Sequence, residues 1–186
     1  MAAYRYSQAK SLPCRSDNPM KKKNGKQLLS FCIPIFLMLL IDQGSKLLAE
    51  AYLKEKNPIR LIPGVFELYY LENTGAAFGI LKHRQPFLIL LAVVITGFTG
   101  WVCIRLLPPQ RKYAPLRFVC CMLSAGALGN MIDRIRHQYV IDFLYFSLID
   151  FPVFNVADIF VCVSCALLLI LLLFYYKEED LQFAKR

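Results

Sequence analysis

Phe-Asn-Val-Ala-Asp-Ile-Phe-Val-Cys-Val-Ser-Cys-Ala-Leu-Leu-Leu-Ile-Leu-Leu-Leu-Phe-Tyr-Tyr, residues 154–176, decides the fold. No charged residue follows Asp158 until Lys177. A helix of about 20 such residues is long enough to cross the hydrocarbon of a bilayer. Asp158 stands at the mouth of this run, where a carboxylate costs roughly 2.5–3.5 kcal/mol on the mild insertion scales. A second acid, Asp142, lies 16 positions earlier inside Val-Ile-Asp-Phe-Leu-Tyr-Phe, with no adjacent cation. Two such acids, joined by a segment short enough to fold back, predict a carboxylate pair that shares one proton and activates water.

Working outward, three more stretches read as spans: about 28–52, 86–107 and 116–132. The expectation is an all-α membrane protein with four transmembrane helices and a small β-sheet element in the first outer loop. The chain of 186 residues is 57% hydrophobic, too apolar for an ordinary soluble domain, and leaves little room for a second domain. The spans and their loops form one catalytic membrane domain over 28–176. Residues 1–27 read as a disordered basic cytoplasmic arm and 177–186 as a cytoplasmic tail.

Charge sets the orientation. With both termini in the cytoplasm, 14 of the 22 Lys and Arg lie inside and seven lie in the outer loops, with Lys46 inside a span. That bias predicts termini in the cytoplasm and an arm that meets anionic membrane lipid, not nucleic acid. Lys21–Lys23 before an apolar run also resembles the start of a secretory signal. Asp42, Lys46 and the lack of a small-residue cleavage site favour an uncleaved first span.

The seven cysteines avoid both outer loops, so no disulfide framework is expected. Cys162 and Cys165 read as helix-packing sulfur. His83 and His137 lack ligand spacing, so neither metal nor cofactor is expected. Ile59–Leu71, broken by Pro63-Gly64, carries a hairpin signal and predicts a small sheet resting on the membrane surface. Tyr69 and Tyr70 suit an interfacial belt. Val140–Phe146 is expected to be extended or interfacial.

With this topology the unusual polar residues converge on the outer leaflet. Asp42 and Lys46 share a helix face at i,i+4. They either neutralise each other or leave Lys46 free to reach substrate. Glu72-Asn73-Thr74-Gly75-Ala76-Ala77-Phe78-Gly79 is a small-residue turn; its glycines permit positive φ, and the Asn73 amide could hold a peptide or an oxyanion. Gly126 and Gly129 permit close helix packing. Asn130, Asp133 and Arg134 form a polar cluster in which the last two organise the site. Asn155 and Asp158 match a helix-capping box.

Five motifs now stand together: Asp-Gln-Gly-Ser-Lys at 42–46, Asn-Thr-Gly-Ala-Ala-Phe at 73–78, Gly-Asn-Met-Ile-Asp-Arg at 129–134, Val-Ile-Asp-Phe at 140–143 and Phe-Asn-Val-Ala-Asp at 154–158. In order and spacing they resemble bacterial lipoprotein signal peptidase (signal peptidase II) over roughly Phe31 to Phe174. The resemblance implies an aspartic endopeptidase of the bacterial inner membrane. It implies cleavage of diacylglyceryl-modified prolipoproteins just before the lipidated cysteine, and inhibition by globomycin. The family's catalytic pair matches Asp142 and Asp158. Its supporting residues match Asp42, Lys46, Asn73, Gly75, Asn130, Asp133, Arg134 and Asn155. Four spans can enclose one site, so a monomer is expected. Two departures are the long basic arm and a 142–158 connection that lacks the tryptophan often found there. A small transporter or proton channel would also place Asp, Lys and Asn in spans, but strung along a path through the bilayer. A structural subunit would explain the glycines but not an unpaired Asp142.

Overall fold

The computed structural model describes residues 19–75 and 80–185. Four helices are long and apolar enough to cross a membrane, over Gln27–Leu53, Gln85–Leu106, Arg111–His137 and Val156–Tyr175. With a three-stranded antiparallel sheet, they give the all-α membrane architecture expected. Residues 1–18 of the basic arm lie outside the described part. The arm's remainder is not a separate segment, because α1 (Pro19–Leu53) already begins at Pro19. Proline is tolerated at a first helical position, and the lysines and Met that follow are good helix formers.

α2 (Gln85–Trp101) runs on through a widened turn, Val102–Leu106. α3 (Ala114–His137) is longer than the hydropathy signal at both ends. Asp133 and Arg134 break that signal but face inward and stay helical, and the helix stops at Gln138, whose φ is +66°. α4 (Val156–Ile170) continues as a widened turn, Leu171–Tyr175.

α3 is the central helix, packed on the other three. A Cβ on Gly126 would stand 2.6 Å from the Ala157 carbonyl oxygen of α4. One on Gly129 would stand 2.5 Å from Oδ2 of Asp42 in α1. Both positions therefore require glycine for α1 and α4 to approach. Thr99 of α2 and Ser124 of α3 share a buried hydroxyl–hydroxyl hydrogen bond of 2.6 Å. The outward faces are Leu, Ile, Val and Phe, including Phe36, Leu40, Leu90, Val94, Leu169 and Phe174. These residues are exposed because lipid is their solvent.

The sheet is larger than the first loop alone. β1 (Ile59–Ile62) and β2 (Phe66–Asn73) form the expected hairpin, turned at Gly64 with φ +72°. β3 (Val140–Tyr145), from the second loop, adds to β2 with Leu71 opposite Asp142 and Asn73 opposite Val140. The strand period of two sends Ile141 and Phe143 against Ala49 and Leu53 of α1. Asp142 is left on the opposite face. Tyr69 and Tyr70 likewise point to opposite faces. Tyr70 donates to Glu72 Oε1 (3.3 Å) and lies under Lys54, while Tyr69 lies beside Tyr145.

At the other end of the bundle Phe31, Cys103, Leu107, Tyr113, Cys121 and Tyr176 share a core. The tail is not loose there. Residues Glu178–Lys185 form a short helical segment, and Lys112 pairs with Asp180 at 2.6 Å. Tyr176 donates to the Lys112 carbonyl, and its ring stacks on Tyr113. Cys103, Cys120 and Cys121 are buried, whereas Cys162 and Cys165 are exposed on α4 and do not pack between helices.

Candidate active site

At the sheet end of the bundle Asp42, Asp133, Asp142 and Asp158 separate into two pairs with different surroundings. Asp42 and Asp133 flank Lys46. The ammonium lies 3.0 Å from Asp42 Oδ2, 2.9 Å from Asp133 Oδ2 and 3.0 Å from Asn130 Oδ1. All three of its N–H donors are thus engaged, and Lys46 is 2% exposed. The possibility that Lys46 reaches out to substrate is therefore corrected: it is a buried brace. Two buried carboxylates around one ammonium would repel unless further donors held them. Asp42 Oδ1 accepts from the Ala157 N–H, and Asp133 Oδ2 from the Ile141 N–H. Gln43 donates its amide to Asp42 Oδ2 and Asp133 Oδ1. The brace thereby ties α1 to α3, to the start of α4 and to β3.

Asp142 and Asp158 make no salt bridge among the described residues; amides hold them. Asn155 Nδ2 donates to Asp142 Oδ1 (2.6 Å) and Asn73 Nδ2 to Asp142 Oδ2 (2.9 Å). Asn130 Nδ2 donates to Asp158 Oδ1 (2.8 Å) and the Asn155 backbone N–H to Asp158 Oδ2 (3.2 Å). Each of the four oxygens has one such donor, which fixes its direction without supplying a charge. Asn155 touches both acids, because the chain after β3 returns through a bridge between Leu144 and Phe154. The capping box at α4 is present as well, with Asn155 Oδ1 accepting from the Asp158 N–H. The structural and functional readings of Asn155 and Asp158 thus fall on the same atoms. Asp142, 1% exposed, has its carboxyl pushed up to about 7. Burial is the main cause and the Asp158 charge adds to it, against the lowering effect of Asn73, Asn155 and Lys46.

Both acids line a cleft of about 1250 Å³. Asn73, Asn130 and Arg134 line it as well, while Phe151, Phe154, Val161 and Cys162 give it apolar walls. Arg134 Nη2 donates to the Gly75 carbonyl (2.9 Å) and Nη1 to the Asn130 carbonyl (3.2 Å), joining the turn after β2 to α3. Gly75 is buried, and its N–H donates to Asn73 Oδ1. Ala76–Gly79, the rest of that motif, lies outside the described residues. Asp42, Lys46, Asn73, Gly75, Asn130, Asp133, Arg134, Asn155 and both acids therefore meet in one connected assembly.

Sequence reasoning missed two of its members. Gln43 sits inside the first motif, and its place beside Asp42 was the available signal. Gln85, buried at the start of α2, donates to the Thr74 carbonyl (2.6 Å) and carries no sequence signal.

Four helices of membrane-spanning length, with a carboxylate pair held by neutral amides at their sheet end, set the protein in the class of multi-pass membrane proteins. The Signal peptidase (SPase) II family matches residues 34–174. The chain belongs to the signal peptidase II family. It is 39% identical over 146 residues to the lipoprotein signal peptidase of Thermodesulfovibrio yellowstonii, covering 77% of this chain and 94% of that one. It is 37% identical over 152 residues to that of Streptococcus pyogenes serotype M1, covering 81% and 95%. Two solved bacterial membrane enzymes, determined by the in meso method, share the fold. One has a TM-score of 0.70 and 28% identity over 83% of this chain and 93% of its own. The other has 0.68 and 27% over 82% and 95%.

Proposed function

We propose that this membrane peptidase removes signal peptides from diacylglyceryl-modified prolipoproteins, cutting before the lipidated cysteine with Asp142 and Asp158 as its catalytic pair. One observation carries the reading. Of the four acids Asp42, Asp133, Asp142 and Asp158, the first two are neutralised by Lys46, while the other two share a cleft and accept hydrogen bonds from amides. The first pair is tied to the Lys46 ammonium and builds the site; the second can hold one proton between two carboxyls at neutral pH.

The chemistry follows. The ionised carboxylate takes a proton from water as its oxygen attacks the scissile carbonyl carbon, while the protonated partner gives its proton to the carbonyl oxygen. In the resulting tetrahedral diol the C–N bond breaks as the newly formed carboxyl passes its proton to the departing amine of the lipidated cysteine and the other carboxylate takes a proton from a diol hydroxyl. One water is consumed, a carboxyl and an amine are released, and the pair regains its starting proton. Asn73 and Asn155 keep the Asp142 oxygens aimed; Asn130 and the Asn155 N–H do the same for Asp158. Apolar walls continuous with the lipid-facing surface give the diacyl chains a place to lie without sequence readout. The Lys and Arg bias supports both termini in the cytoplasm of a bacterial inner-membrane protein, with the site toward the outer leaflet and membrane lipid around it. Globomycin inhibition and a monomeric enzyme accompany this reading.

The test is cleavage of a diacylglyceryl-modified prolipoprotein by purified protein, beside Asp142→Asn and Asp158→Asn. Wild type cuts, and each folded variant loses at least about a thousandfold in kcat. Full activity in Asp142→Asn with loss in Asp133→Asn would mean that the pairs have been assigned the wrong way round.

A further inference from the structure

We propose that Gln85, outside every motif of the site, is a positioning residue that sets the Asn73 amide against Asp142. The inference rests on the reading of Asp142 as half of the catalytic pair. Gln85 is 5% exposed, and its Nε2 lies 2.6 Å from the Thr74 carbonyl oxygen. The His83 N–H donates to the same oxygen at 3.1 Å. In a trans peptide the C=O and the N–H point in opposite directions. Anchoring the Thr74 carbonyl on the α2 side therefore turns the Gly75 N–H, in the same peptide unit, the other way. There it donates to Asn73 Oδ1 at 2.9 Å. With its oxygen captured, the Asn73 amide has one orientation left, and Nδ2 donates to Asp142 Oδ2 at 2.9 Å. Arg134 holds the next carbonyl, that of Gly75, so two successive peptides are fixed from opposite elements.

The consequence is electrostatic. The Asn73 hydrogen bond is one of the forces that hold the Asp142 carboxyl down against burial and against Asp158. The charged groups that face Asp142 are Lys46 from α1, Arg134 from α3 and Asp158 from α4. Gln85→Met leaves all three in place and removes only the donor at the end of the chain.

The experiment follows Asp142 directly through its carboxyl infrared band, identified by its loss in Asp142→Asn, across pH in detergent-solubilised protein. Gln85→Met moves the transition to higher pH, as Asn73→Leu does, and the double variant moves no further than Asn73→Leu alone. Gln85→Asn, which is uncharged and keeps an amide donor, returns the transition toward wild type. In the cleavage assay Gln85→Met lowers kcat about 10- to 100-fold with KM near wild type, the size expected for a misaimed catalytic group. A transition unmoved by Gln85→Met, or shifts that add in the double variant, would overturn the proposal. If the Met variant fails to fold, Gln85→Leu, also uncharged and without a donor, is compared with wild type, and equal transitions overturn it as well. Wild-type cleavage tests the proposed function separately, since the infrared band needs no substrate.

Discussion

Among single side chains, the difference between Lys46 and the asparagines predicts opposite kinds of failure. Lys46→Met leaves Asp42 and Asp133 buried without their cation, a loss of about 3–5 kcal/mol. The variant is therefore lost at the level of folding, seen as a collapse of the thermal unfolding midpoint in detergent. Asn155→Ala acts differently. It removes the α4 cap, about 1 kcal/mol, and also the donor on Asp142 Oδ1. The protein stays folded, cleavage falls, and the pH at which Asp142 loses its proton rises. Asp142 itself gives a pH signature. Between its ordinary value of 3.8 and about 7 the folded chain keeps a proton that the unfolded chain has released. Stability therefore falls as pH rises through that window and levels off above it. Asp142→Asn removes this slope, which unfolding measured from pH 4 to 8 detects.

Between elements, the close approach of α3 to α1 and α4 is the most exacting contact. Gly129→Ala drives a methyl into the Asp42 carboxylate, and Gly126→Ala drives one into the Ala157 carbonyl. Each costs about 1–3 kcal/mol. Gly129→Ala also displaces Asp42 from Lys46, so its activity falls further than its stability, which parallel unfolding and cleavage measurements separate. The sequence marks these glycines well, because small residues inside a span have few other uses. It marks the sheet poorly. The β1–β2 hairpin follows from local turn chemistry. The pairing of β2 with β3 joins residues about 70 positions apart and leaves no periodic trace. Asn73 could therefore be named as a site residue while its partner, Asp142, could not be assigned to it. The length of α3 was hidden for a related reason: a hydropathy window reads Asp133 and Arg134 as an exit from the membrane, whereas buried partners keep them in the helix.

Across the whole molecule, the spans and the list of acids were legible because charge inside hydrocarbon is rare and needs a cause. The division of those acids into a braced pair and an amide-held pair was not, since it depends on contacts that converge from α1, α3, α4, β2 and β3. Gln43 and Gln85 escaped notice because an amide facing carboxylates or a carbonyl looks, in one dimension, like any polar residue near a helix end. The ion pair within α1 carries a last implication, for biosynthesis. Asp42 and Lys46 are one helical turn apart and form a neutral couple before the rest of the chain exists. The first span can therefore leave the ribosome's exit path and partition into lipid alone. Asp133 arrives some ninety residues later, when the inserted helix already presents the ammonium that receives it.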